Sequence, residues 1–287
     1  MLDVHDLTFT YPHNSAPALK GMNFMISKGE IFGFLGPSGA GKSTVQKILI
    51  GVLKQYDGTV RVMNNEMSKV DAAFYEQLGV AFEVPNFYQK FTAMENLKFF
   101  HSFYDTKGTE ESPERLLHEL GLQDAANTKV AEFSKGMKIR LNICRAFLHD
   151  PQLVFLDEPT SGLDPVNVRK VLAFISKKRD EGKTVVINTH NMEVADAMCD
   201  RVAFIVDGEI KLIDSPLELK LKHSQKQVTV QYKVSDERKY ASFALSELAG
   251  SESFHRLLRE AELEAIHTQE KTLEDLFIDV TGRRLDI

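Results

Sequence analysis

Ile31-Phe-Gly-Phe-Leu-Gly-Pro-Ser-Gly-Ala-Gly-Lys-Ser-Thr44 is the stretch on which the fold turns. Ile31 to Leu35 is an apolar run of the buried-strand kind, and Val45 to Leu53 carries helical spacing. Between them lies Gly36-x-x-x-x-Gly41-Lys42-Ser43, the pattern of a phosphate-binding loop. Glycines let backbone N–H groups curl round an anion with no Cβ in the way. A helix starting near Lys42 points its positive end at that anion. Lys42 then reaches the β- and γ-phosphates of a nucleotide, and the Ser43 hydroxyl ligates Mg²⁺. The predicted cradle is Gly36, Pro37, Ser38, Gly39, Ala40, Gly41, Lys42, Ser43 and Thr44. An ordinary glycine-rich turn is the rival reading, and a strand before with a helix after argues against it.

Bulk properties set the outer limits. The chain has 287 residues, room for one large domain or one domain with a small companion. Apolar residues make up 43% and charged residues 26%, the balance of a soluble globular protein. The net charge of −6 and the lack of a basic block predict no nucleic-acid partner. Cys144 and Cys199 stand far apart without metal-type spacing, so both read as reduced packing residues of a cytosolic protein. The first residues do not read as a signal peptide. No apolar run approaches the ~18 residues of a membrane span. Work at a membrane would therefore go through partner chains.

Outward from the loop, residues 2–10 alternate as a strand, Tyr11-Pro12-His13-Asn14 breaks it, and Met22 to Ile26 reads as another. Beyond the loop, Thr59 to Met63 is a strand, Ala72 to Leu78 a short helix and Gly79 to Glu83 a strand. Residues from about 85 to 150 are a helical insert, with helices expected over Thr92–Tyr104, Pro113–Leu120 and Ser134–His149. Thr92 with Glu95 forms a capping box. Parallel-sheet logic resumes with strands at Leu153–Leu156, Thr184–Asn188 and Arg201–Val206 and helices at 166–179 and Met192–Cys199. Asp207-Gly208 signals a hairpin into Glu209–Ile213. Residues 217–226 read as a helix and linker, and 223–287 as a small accessory unit without a chemical motif. There Val228, Val230 and Tyr232 alternate as a strand, while 236–249, 252–261 and 272–281 read as helices.

Leu153-Val-Phe-Leu-Asp-Glu-Pro159 is the second decisive motif. Asp157 falls at the carboxyl end of a buried strand, where open parallel sheets place their ligands. An acid there holds Mg²⁺ together with Ser43. Glu158, next in line, can polarise an attacking water. A solvated acidic turn is the rival for this motif taken alone.

With these parts in order, the chain resembles the ATP-binding-cassette (ABC) ATPases. Phe133-Ser134-Lys135-Gly136-Met137 stands where that family has its signature, at a helix start before the acidic strand. The resemblance implies that Ser134 and the Gly136 backbone bind the γ-phosphate held by the other subunit of a dimer. A Ser N-cap on an exposed helix start suits an anion, and a plain helix cap is the rival reading. Ser161-Gly162-Leu163-Asp164 looks like the dimer-contact loop, His190 like the switch histidine that contacts the γ-phosphate and positions water, and Tyr11 like the aromatic that stacks on adenine.

Two departures stand out. Glu83 occupies the family's usual Gln position, where an amide oxygen reaches Mg²⁺ or water; a carboxylate can do the same but repels phosphate. The signature has Lys135 and Met137 in place of Gly and Gln, while Ser134 and Gly136 remain.

The implied fold is α/β, a P-loop NTPase nucleotide-binding domain of ABC type over 1–222 with a helical subdomain, plus an α+β accessory domain over 223–287. The Ser-Lys-Gly-Met-Lys run, Glu83 and the tail residues Thr272 to Phe277 with Thr281-Gly282-Arg283 are similar to one branch, the ATPase subunits of bacterial drug and antibiotic exporters such as those for fluoroquinolones.

The implied activity is ATP hydrolysis with ATP and Mg²⁺ as cofactors. Lys42, Glu158 and His190 would be catalytic, Ser43, Asp157 and Glu83 would face the metal, and Tyr11, Ser134, Gly136 and Asp164 would complete the nucleotide site. Implied partners are integral membrane permease chains and a second copy or paralogue, at the cytoplasmic side of the membrane. The aromatic-rich insert near 85–105 would be the coupling surface. A soluble ABC ATPase uncoupled from transport is the alternative. A GTPase would need an Asn/Thr-Lys-x-Asp motif, which the chain lacks.

Overall fold

The computed structural model describes residues 1–104, 111–223, 227–234, 237–268 and 271–282; the expected linker residues 224–226 and the quoted Arg283 lie outside them. In chain order, β1 (Leu2–Phe9), β2 (Leu19–Ile26) and β3 (Ile31–Leu35) lead to α1 (Lys42–Leu49). Next come β4 (Asp57–Val62), β5 (Asn65–Glu66), α2 (Ala72–Tyr75) and β6 (Leu78–Ala81). The insert contributes α3 (Ala93–His101), α4 (Pro113–Glu119) and α5 (Lys135–Phe147). Then follow β7 (Leu153–Asp157), α6 (Pro165–Asp180), β8 (Thr184–Thr189), α7 (Met192–Met198), β9 (Arg201–Val206) and β10 (Glu209–Asp214). Contacts divide the chain after Ser215, and a second unit begins at Pro216.

Six strands form the central sheet in the order β10-β9-β3-β8-β7-β6. All but β10 run parallel, and they are buried on both faces, as their unbroken apolar runs require. The register places Leu35 beside Thr189 and Asp157 beside Asn188. The carboxyl ends of β3, β7 and β8 therefore emerge side by side, which is what builds the site. β10 is antiparallel and returns through Asp207 (φ 51°) and Gly208 (φ 79°), the left-handed pair of a tight hairpin.

A four-stranded antiparallel sheet, β2-β1-β4-β5, supplies the other wall of the main core. Val45, Ile48 and Leu49 of α1 are buried in that core with Phe24, Phe32 and Phe34, whose rings lie 5.2–6.4 Å apart. α1 stops earlier than its apolar spacing suggests, because Gly51 takes φ 73° just beyond the Ile50 cap. The capping box at Thr92 forms as expected. Buried Asn96 fastens the preceding loop, donating to Thr92 O (2.9 Å) and Tyr88 O (3.1 Å) and accepting from Tyr88 N (2.9 Å).

In the second unit, α8 (Pro216–His223) precedes β11 (Gln227–Val234), β12 (Glu237–Ala244), α9 (Glu252–Glu260), β13 (Glu262–Thr268) and α10 (Leu273–Thr281). The sheet order is β12-β11-β13. The helix expected over 236–249 is not there: 237–244 is a strand and Leu245–Gly250 a 3₁₀ turn. Ala, Glu, Lys and Arg favour helix locally, but the open edge of β11 offers a full antiparallel ladder, and tertiary pairing overrides propensity. β13 escaped the sequence reading because almost every residue in it is exposed, so no buried alternation marks it. The helices expected near 252–261 and 272–281 are present as α9 and α10.

Candidate active site

The phosphate loop leaves β3 at Leu35. A Cβ on Gly36 would collide with the Ile205 carbonyl, so only glycine fits. Gly39 and Gly41 take φ 79° and 113°, conformations that L side chains avoid. Gly41 sits at the N-cap of α1 and no side chain caps that end, which leaves it suited to an anion. The Lys42 ammonium donates to Gly36 O at 2.5 Å and Pro37 O at 3.0 Å. An ammonium has three N–H donors, so one remains for a ligand. Burial lowers the pKa of Lys42, while Glu158, Asp157 and Glu83 act to raise it. Ser43 is exposed on the first turn of α1. Thr44 is buried and shares a 3.1 Å hydroxyl bond with Tyr11, whose ring meets Phe9 edge-on at 4.8 Å. Tyr11 is thus tied to the phosphate loop.

Across the sheet, Asp157 ends β7 and Glu158 turns away with φ 49°. Such a backbone is costly for a non-glycine residue and is typical of functional turns. The Glu158 N–H donates to Asn188 O at 2.9 Å. Its carboxylate accepts three hydrogen bonds: from the Thr189 hydroxyl (3.0 Å), the His190 N–H (3.0 Å) and His190 Nδ1 (2.6 Å). One oxygen is thereby aimed by the histidine beside it.

Burial raises the Asp157 carboxyl to about 6, helped by the charges of Glu83 and then Glu158; hydrogen bonding from Asn188 and the charge of Lys42 pull the other way. Glu83, just past β6, is thus brought to the same place. Three carboxylates face one ammonium, a donor set that fits a hard cation. Mg²⁺ takes one or two carboxylates and completes its shell with water and phosphate oxygens. Among the described residues no three His, Cys, Asp or Glu side chains converge as metal ligands, so water and phosphate oxygens would have to supply most of the shell.

Ser134 caps α5 by accepting from the Met137 N–H at 3.2 Å, and it is exposed. A Cβ on Gly136 would stand 3.0 Å from Leu163, and one on Gly162 3.3 Å from the Lys135 side chain. The signature helix start therefore packs on the Ser161–Asp164 loop of its own chain. Asp164 caps α6, accepting from the Val166 and Asn167 N–H groups at 3.0 Å each. Hydrogen bonds, first from the Asn167 amide, hold its carboxyl below the usual range.

Several residues of the site escaped the sequence reading. Thr189 aims Glu158, and Asn188 supports the whole acidic end. Asn142 donates to Phe82 O (2.7 Å), and Arg145 donates to Asn86 O (2.8 Å) and Asn142 Oδ1 (2.6 Å), so α5 holds the segment that carries Glu83. Arg145 also lies 5.0 Å from the rings of both Phe87 and Phe100. The only sequence signal for Asn188 and Asn142 was an amide inside an apolar run. Beside this clamp opens a groove of about 660 Å³ lined by Val80, Phe82, Val84, Tyr88 and Phe100. Val84 is 79% exposed and nearby Phe103 63%, a large apolar display for a free surface.

A family model described as "ABC transporter" matches residues 19–161, and one described as "Fluoroquinolone efflux ABC transporter C-terminal domain" matches residues 226–270. The chain is 48% identical over 286 residues to a fluoroquinolones export ATP-binding protein of Mycobacterium tuberculosis, covering 99% of this chain and 94% of that one. It is 31% identical to the linearmycin resistance ATP-binding protein of Bacillus subtilis, over 93% of this chain and 94% of that one. Among solved structures, a dimeric ATP-binding cassette in a post-hydrolysis state with ADP and phosphate matches with a TM-score of 0.68 at 29% identity, over 75% of this chain and 98% of that one.

Proposed function

Because the chain belongs to the ATP-binding proteins of ABC transporters, we propose that it is the ATP-hydrolysing motor of a drug- or antibiotic-type exporter and drives a separate membrane permease. The observation that carries the catalytic reading is the Glu158 carboxylate, fixed by Thr189 and His190 at the strand end beside Lys42. The triphosphate seats on the loop's N–H groups, the start of α1 and the remaining donor of Lys42. Glu158 accepts the proton of the attacking water, and His190 keeps that carboxylate in place and faces the γ-phosphate. Mg²⁺, held by Ser43 and Asp157 with Glu83 beside them, would neutralise phosphate charge. Tyr11 offers its ring to the adenine.

Gly136 and Lys135, next to Ser134, meet the Gly162–Leu163 loop of their own chain. That arrangement supports a sandwich in which a second copy or a paralogue supplies Ser134 and Gly136 to this site. The apolar groove and its exposed rim suit a short cytoplasmic helix of the permease. Among the described residues no helix is long and apolar enough to cross a membrane. The chain would then sit at the cytoplasmic face, bound through that groove.

The test is Glu158→Gln. The variant should bind ATP, release phosphate at least about a hundredfold more slowly, as loss of a general base does, and accumulate an ATP-bound dimer by light scattering. Phosphate release at the parent's rate overturns the base assignment, and a monomer under those conditions overturns the sandwich. Vesicles that contain the permease and this chain should accumulate drug only with hydrolysable ATP; ATP turnover indifferent to the permease would favour the uncoupled soluble ATPase.

A further inference from the structure

Two amides lie buried beneath the site. Gln46 is 2% exposed and Asn188 1%. The Asn188 amide donates to Gln46 Oε1. Gln46 Nε2 and Asn188 Oδ1 have no partner among the described residues. Burying two amides with half their capacity unmet is costly, and a pair of apolar side chains of that size would be at least as stable. Stability therefore does not explain the pair, and its position does. Gln46 sits one turn below Lys42 on α1, so whatever holds Gln46 sets the height of the ammonium and of the helix start. Asn188 is the register neighbour of Asp157 on one side and of Phe34 on the other. Its carbonyl receives the Glu158 N–H, and the two residues after it, Thr189 and His190, grip the Glu158 carboxylate.

We propose that the Gln46–Asn188 amide pair is a positioning element that locks the phosphate-binding helix to the Asp157–Glu158 strand end, so that the loop and the carboxylates engage one metal-bound triphosphate together. The proposal rests on the reading of Asp157 as the metal-bearing carboxylate. Neither amide touches substrate. Their task is to keep two separately folded segments, α1 and the end of β7, in one register across the β8 strand. An apolar pair would fill the space but leave α1 free to shift along its axis.

The experiment compares the affinity of the full chain for a fluorescent ATP analogue with Mg²⁺ and with EDTA. The ratio of the two affinities reports how well the loop and the carboxylates cooperate. In Gln46→Leu/Asn188→Leu the fold and the affinity in EDTA should stay near the parent's. The ratio should fall by about threefold or more and turnover by more than about tenfold, or ~1.4 kcal/mol. A ratio and turnover within about twofold of the parent's overturn the proposal, and so does an equal loss of affinity with and without Mg²⁺, which would mean packing alone. If the double variant does not fold, Asn188→Ser is read in the same way. Asp157→Asn is the control. If it keeps the parent's ratio, the metal assignment fails; if it loses the ratio while the double variant keeps it, only the role of the amide pair fails.

Discussion

Asp157→Asn should make the metal-free protein more stable while it disables the site. In the folded chain, burial and the charges of Glu83 and Glu158 raise this carboxyl from 3.8 to about 6. A tenfold change in a proton equilibrium is ~1.4 kcal/mol, so ionising Asp157 in place costs the fold ~3 kcal/mol. The sign follows from where the protons sit. Below about pH 4 the carboxyl is protonated in both folded and unfolded chains, and it costs nothing. Between about pH 4 and 6 the unfolded chain has released the proton and the folded chain still holds it, so stability falls as pH rises. Above about pH 6 the full cost is present. An amide of the same shape carries no such cost. In EDTA at pH 7.5, Asp157→Asn should melt on the order of 5–10 °C above the parent, the scale of ~3 kcal/mol in a domain this large. The gap should close as pH falls towards 4. Saturating Mg²⁺ and ATP should narrow or reverse it, because the parent then gains binding energy that the variant lacks. Thermal unfolding followed by circular dichroism across this pH range is the assay. A gap that does not change with pH, or a variant less stable than the parent at pH 7.5, would refute the reasoning.

Lys42→Ala should lose tight nucleotide binding by calorimetry while keeping its far-ultraviolet spectrum; affinity near the parent's would contradict the phosphate-loop assignment. Glu83→Gln should keep turnover within about tenfold, ~1.4 kcal/mol, if Glu83 only replaces an amide oxygen. It should also move the acid-side stability change of Asp157 to lower pH, because Glu83 is the largest charge raising that carboxyl. Tyr11→Phe removes the hydroxyl bond to Thr44 and keeps the ring, so ATP affinity should fall by no more than about threefold, and Tyr11→Ala should lose the further ~0.5–1.5 kcal/mol of an aromatic contact. Equal losses in the two variants would show that the ring does not stack on the base.

The sequence made the site's charged parts legible because each pairs an unusual residue with a fixed place in a strand–turn–helix frame. Gly41-Lys42-Ser43 follows one buried strand, Asp157-Glu158 ends another, and His190 follows a third; parallel topology then had to bring those ends together. What stayed illegible depends on contacts between segments far apart in the chain. Arg145 clamps the Glu83 segment across 59 residues, and Asn188 reaches Gln46 across 142. An amide inside an apolar run marks Asn188, but nothing local says which distant residue it meets. The same reason explains the tail. Residues 237–244 are helix formers by composition, and only the edge of β11 makes them a strand. Asp164, read from the sequence as part of the dimer-contact loop, caps α6 through the Val166 and Asn167 N–H groups, a local role its place before Pro165 serves.

The electrostatics of the single chain argue that its site is unfinished. Glu83, Asp157 and Glu158 all act on Lys42, and two of the three donors on Lys42 already serve the loop's own carbonyls. A triphosphate brings several more negative charges into that field. The loop N–H groups and the positive end of α1 offset a part of them. A divalent cation near Asp157 offsets more, which is why a half-buried carboxyl raised to about 6 suits a metal better than an empty site. The remaining demand is for positive potential on the far side of the γ-phosphate, where this chain's acidic strand end cannot supply it. The exposed start of α5 has that character, with the Ser134 cap, the Gly136 backbone and the Lys135 ammonium together. Within one chain that helix start packs on the Gly162–Leu163 loop, which is why the proposed sandwich has a second copy or a paralogue bring it. Under that proposal, hydrolysis that waits for assembly follows from charge balance: the γ-phosphate would be held from both sides only when two chains close on it.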